Sequence, residues 1–165
     1  MICMKFVCFY GMLFFCVNGV ASEFDVVVPI HNNGASAFYV DARFGSLDNT
    51  ELLVDTGSGY VTISTDSLQA LRKNGEAVYV KDVKGRLANG AELVVSVWRV
   101  GQITIGDECV IKNVEAAVFP DTKRQILGLN ALKKTAPFMV SFSPPKLSLS
   151  ACYKQPAQPK AMNMG

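Results

Sequence analysis

Leu52-Leu53-Val54-Asp55-Thr56-Gly57-Ser58-Gly59 is the stretch on which the reading of this chain turns. Three apolar residues in succession, the last of them β-branched, read as a buried strand. The carboxylate follows where that strand must stop, because Thr-Gly-Ser-Gly has the composition of a tight loop. An acid is thereby set at a loop tip above an apolar floor. The bland alternative is an aspartate that caps its own β-turn. The chemical alternative is one half of a carboxylate pair. Two carboxylates about 3 Å apart cannot both ionise, so one can act as base on water while the other protonates or polarises a carbonyl.

Outward from this stretch the dominant period is two. Residues 25–30, 37–44 and 51–54 are short runs rich in Val, Phe, Tyr and Leu, separated by His31-Asn32-Asn33-Gly34 and Gly45-Ser46-Leu47-Asp48-Asn49, where His31 reads as a turn residue. Residues 60–64 continue the pattern, and Thr65 is expected to cap a short helix over 66–73 that Asn74-Gly75 ends. Residues 77–83 and 91–105 form the arms of a long hairpin, turned at Ala88-Asn89-Gly90 because Asn-Gly adopts positive φ readily. A further turn falls at Gly106-Asp107. Strands follow over 108–119 and 125–127, then a brief helix over 130–135 that stops before Pro137, and two last strands, 138–143 and 146–150, bent apart by Pro144-Pro145. Many short strands with one or two short helices define an all-β class, a closed barrel or folded sheet.

The ends of the chain are set apart by composition. Lys5 precedes the apolar run 6–17, and Gly19-Val20-Ala21-Ser22 supplies small residues, so residues 1–22 read as a signal peptide. The run is shorter than the roughly 20 residues of a membrane span, which leaves an uncleaved N-terminal anchor as the one membrane attachment compatible with it. Export is therefore expected, to a periplasm or to the outside. Residues 23–152 form the folded domain, one core's worth of chain, and residues 153–165 read as a disordered tail. Without the leader the formal charge falls from +2 to +1, because one lysine and no acid are removed. No basic cluster suggests nucleic acid.

Three of the five cysteines lie in the leader, leaving Cys109 and Cys152, which spacing alone leaves open between a disulfide and two free thiols. His31 is the only histidine, so the parts for a zinc site or for a Ser-His or Cys-His pair are lacking, and neither metal nor cofactor is expected. Trp98, the lone tryptophan, reads as a residue that packs the sheet.

Leu53-Val54-Asp55-Thr56-Gly57-Ser58 resembles the catalytic loop of aspartic peptidases, and Ile126-Leu127-Gly128-Leu129-Asn130-Ala131-Leu132 resembles the second signature of the retropepsins, apolar-apolar-Gly-x-Asn. Ala88-Asn89-Gly90 resembles the flap turn of the bacterial, exported members. The similarity spans roughly residues 38–149 and implies a single-lobe peptidase. In it Asp55 is the catalytic acid and base, and Thr56 bonds across a homodimer to the partner's loop. Gly57 lets its N–H approach the carboxylate, and Ser58 donates its hydroxyl to the outer carboxylate oxygen. Gly128 lies behind the loop with Ile126 and Leu127 beneath. An activity optimum on the acid side of neutral follows from such donors. Where viral members carry an Arg after the Gly, paired with an acid after the loop, this chain has Leu129 and Gly59-Tyr60, so apolar packing replaces an ion pair. The resemblance implies a homodimer that cuts extended peptides as an endopeptidase. The competing reading is a non-hydrolytic peptide-binding or scaffold module on the same fold.

Overall fold

The structure, a computed structural model, describes residues 24–34, 37–86, 90–120 and 124–154. The expected leader (residues 1–22), the turn residues Ala88 and Asn89, and all of the expected tail beyond Lys154 lie outside the described residues.

In chain order the strands are β1 (Val26–Pro29), β2 (His31–Asn32), β3 (Phe38–Phe44), β4 (Thr50–Val54) and β5 (Val61–Ser64). Helix α1 (Thr65–Lys73) follows, then β6 (Ala77–Arg86), β7 (Glu92–Ile105), β8 (Cys109–Phe119) and β9 (Gln125–Leu127). The chain continues through α2 (Leu129–Leu132), a 3-10 turn (Lys133–Thr135), β10 (Phe138–Phe142), β11 (Pro145–Leu149) and β12 (Tyr153–Lys154). The all-β expectation with short helices holds.

The larger sheet closes on itself. Its neighbours run β8-β5-β9-β4-β3-β7, and β7 pairs back onto β8 along residues Val97 to Ile105. Closure removes the exposed edges that a folded-out sheet would carry. Alternation fills the interior: in β3, Val40, Ala42 and Phe44 are buried and Asp41 is exposed. These join Leu52, Val61, Ile63, Ile103, Ile105 and Leu127 in one core that Leu68 and Leu71 of α1 complete. Val95, Val97 and Ala117 form a smaller apolar cluster outside that core, with Tyr60, Val83, Leu93 and Phe119 packed against it.

Three local readings are corrected. Ser64, not Thr65, caps α1, its extended backbone allowing Oγ to accept from the Ser67 N–H at 3.1 Å. The far end does stop at Asn74-Gly75: Gly75 takes φ +72°, and its N–H and that of Glu76 donate to the Arg72 and Leu71 carbonyls, satisfying two orphan acceptors of the last turn. His31 is a strand residue, opposite Tyr39, with Nε2 2.9 Å from Glu51 Oε1. Nor do the prolines splay the last strands. β10 and β11 form an antiparallel hairpin with Phe142 opposite Pro145, because a proline in the first position of a strand leaves the rest of the ladder intact. β1 lies on the other side of β11, so a second sheet, β1-β11-β10, ends in β10 as an open edge.

Cys109 and Cys152 are joined, with α-carbons 4.9 Å apart. The bond holds the chain end against β8, where Tyr153 and Lys154 pair with Val110 and Cys109, so ordered structure runs two residues past the expected domain boundary. A crosslink over 43 residues restricts the unfolded chain. Cys152→Ser is expected to lower stability by about 2–4 kcal/mol, measured as the urea midpoint with and without reductant. An equal midpoint for the variant and the oxidised parent would show that the bond does not contribute.

Candidate active site

The loop bearing Asp55 is held by a crossing. β4 and β5 are not neighbours in the barrel; β9 is inserted between them, parallel to β4 (Val54 opposite Leu127) and antiparallel to β5 (Thr62 opposite Ile126). The segment from Asp55 to Tyr60 must therefore pass over the end of β9, where Gly128 stands. A Cβ on Gly128 would overlap the Tyr60 carbonyl and come within 2.9 Å of the Val61 nitrogen. Glycine is required there for close backbone approach rather than for a special φ, since Gly128 has φ −87°.

Four further bonds tie the loop down. Asp55 N–H donates to the Leu127 carbonyl at 3.2 Å, extending the β4–β9 ladder by one residue, and Leu129 N–H donates to the Ser58 carbonyl at 2.8 Å. Asn130 Oδ1 accepts from the Val61 N–H at 2.8 Å, while its Nδ2 donates to the Glu115 carbonyl at 2.7 Å. Asn130 thus joins β5 to β8 at the base of the loop. The sequence reading gave it no role, although it belongs to the same signature as Gly128.

Around the carboxylate, Gly57 N–H donates to Asp55 Oδ1 at 2.8 Å, and a Cβ on Gly57 would sit 3.1 Å from that oxygen. The close approach read from the sequence is present. Ser58 departs from its expected role: its hydroxyl donates to the Tyr60 carbonyl at 2.8 Å, tightening the loop instead of reaching the carboxylate. Thr56 is exposed at the loop tip. Asp55 is half-buried and faces two hollows. One, a cleft of about 1070 Å³, runs from Asp55 and Gly57 under the β6–β7 hairpin and is lined by Val83, Leu93, Val95, Phe119 and Ile126 among others. The other opens between Asp55, Thr56, Phe38, Val54 and the β10 residues Val140 and Phe142.

Of the second-signature residues, Leu127 is fully buried beneath the loop, whereas Ile126 is half-buried and turns into the cleft. Of the flap triplet, Gly90 is described, with φ +85°, just past the ladder's last pair, Arg86 with Glu92. Trp98 packs edge-on against Tyr79 with Arg72 5.0 Å above its ring, and does not line the cleft. Lys81 lies over the Tyr60 ring and 3.4 Å from Glu115, and hydrogen bonding to Tyr60 and then to Glu115 holds it above the usual lysine range. One group of side chains could offer three ligands to a metal, His31, Asp41 and Glu51, their donor atoms within 4.8 Å of one another on the barrel surface. His31 and Asn33 already engage Glu51 there.

The family described as aspartyl protease matches residues 40–131, more than half of the chain, and the chain belongs to it. The match takes in both the Asp55 loop and the Gly128 signature. Among solved structures, a retropepsin-like aspartic protease from Rickettsia conorii superimposes with a TM-score of 0.54 at 20% identity, over 75% of this chain and 88% of that one. The fold is thus retropepsin-like, and the family makes the chain a protease of the aspartic type. No curated protein sequence matches it.

Asn130→Ala leaves a Val61 donor and a Glu115 acceptor without their partner, with an expected cost of about 2–3 kcal/mol. Asn130→Asp keeps the acceptor and should lose less. Urea unfolding of the three chains checks the order, and equal midpoints would remove the crosslinking role.

Proposed function

We propose that the chain is an endopeptidase whose active site forms when two copies bring their Asp55 loops together, one carboxylate of the pair activating water and the other polarising the scissile carbonyl. The observation that carries this reading is the placement of one carboxylate on the floor between two hollows, only one of which has a cover from its own chain. The hairpin lies over the first. The second opens onto β10, a free sheet edge on which Met139 and Phe142 are 43% and 64% exposed. An open apolar edge beside a catalytic loop invites a second copy, and two-fold symmetry would place both loops at the axis. Thr56, exposed at the tip, is then in position to bond across the axis.

An extended peptide would lie beneath the two hairpins, which exclude water from the reaction. The leader pattern over 1–22 and the Cys109–Cys152 bond both fit an exported protein working in an oxidising compartment, periplasmic or extracellular.

Asp55→Asn is expected to abolish peptide cleavage without changing the mass in solution. When it is mixed with the parent chain, activity should fall as the square of the parent fraction; a linear fall would mean that each chain acts alone. A pair that works with one shared proton is active only between its two ionisations. The rate profile should therefore be bell-shaped with its maximum below neutral pH, and a maximum above about pH 8 would count against the shared proton.

A further inference from the structure

We propose that the hydroxyl of Thr62 selects the substrate, forming a hydrogen bond with the neutral polar tip of an otherwise apolar side chain that enters the cleft beside Asp55. The proposal rests on the peptidase reading above and adds the class of residue the cleft accepts. Val61 and Ile63, on either side of Thr62 in β5, are fully buried in the main core. By strand alternation Thr62 points the opposite way, with its register partners Ala117 and Ile126, and all three line the cleft that holds Asp55.

Thr62 is only 5% exposed, and its Oγ1 is the one buried side-chain nitrogen or oxygen among the described residues without a hydrogen-bond partner. A buried hydroxyl left unpaired is a standing cost to the folded chain. Valine would fill the same space without that cost, so the hydroxyl asks for a ligand. Its surroundings say which kind. The hairpin residues Val83, Leu93 and Val95 pack with Phe119 and Ala117 into a small apolar cluster over the cleft floor. An entering side chain that displaces those contacts meets apolar walls along its body and the hydroxyl at its end. A hydroxyl both donates and accepts, so an amide or a phenol fits, whereas a fully apolar side chain leaves the hydroxyl still unpaired and a charged one is desolvated without a counter-charge.

The test uses a peptide that the full chain cleaves, each position replaced in turn by one member of the near-isosteric pairs Leu and Asn, Met and Gln, Phe and Tyr. At one position the polar member should be preferred, by roughly tenfold in kcat/KM, the worth of one added hydrogen bond. Thr62→Val should bring that ratio to one or reverse it, and Thr62→Ser should keep it. A ratio unchanged in the valine variant, or apolar members preferred throughout by the parent, would overturn the proposal. Thr62→Val should also raise the melting temperature by a few degrees. A lower value would mean that a buried water already satisfies the hydroxyl, and would overturn it too. The same pairs, bound to Asp55→Asn and followed by calorimetry, separate the two readings. A preference in binding with no cleavage by the parent sinks hydrolysis alone, while no binding of any peptide sinks the Thr62 role.

Discussion

The contact between Gly128 and the Tyr60–Val61 backbone is the constraint on which the rest of the site depends. Because β9 is inserted between β4 and β5, the chain that leaves β4 has to cross over the end of β9 before it can re-enter the barrel. The crossing has room for one backbone above another and for nothing between them. Asp55 is held at its height by that stacking, and the bonds from Leu129 and Asn130 fix the stack laterally. A catalytic group on a loop is usually the least rigid part of an enzyme. Here the loop is as tightly bonded as the strands on either side.

The same topology explains how the two faces of β5 divide the work. Val61 and Ile63 go to the barrel core, and Thr62 goes to the cleft. Ile126 and Leu127 repeat the division one strand away. Residues that hold the fold together and residues that meet a ligand therefore alternate along the same short segments, so a one-residue slip in either strand would exchange the two roles.

Much of this could be read from the sequence, for identifiable reasons. The Asp55 loop and Gly128 were legible because each imposes a residue type on a fixed place in a short pattern. The hairpin arms and the end of α1 at Asn74-Gly75 were legible from local periodicity and turn chemistry. What escaped depends on distance through space. Ser58 reads equally well as a donor to Asp55 or to Tyr60, and only the path of the loop chooses the latter. Asn130 stands in a recognisable signature, but its two partners come from strands 69 and 15 residues away in sequence. Pro144-Pro145 looked like a break between strands because local rules say nothing of β1, whose pairing with β11 draws the hairpin together. The thiols of Cys109 and Cys152 were ambiguous for the same reason, and Thr62 in Val-Thr-Ile-Ser looks like any strand threonine.

The extent of pairing along β7 fixes where the hairpin can bend. From Val97 onward β7 is bonded to β8 on its far side, whereas residues 92–96 pair with β6 alone. Five residues of each arm therefore project from the barrel as a cantilever, roughly 17 Å long at about 3.3 Å per residue, clamped at Val97 and loaded at its tip. Such a beam flexes most at its root. Stiffness at Val95, Ser96 and their partners Asp82 and Val83, more than the chemistry of the turn itself, would then set how often the cleft opens.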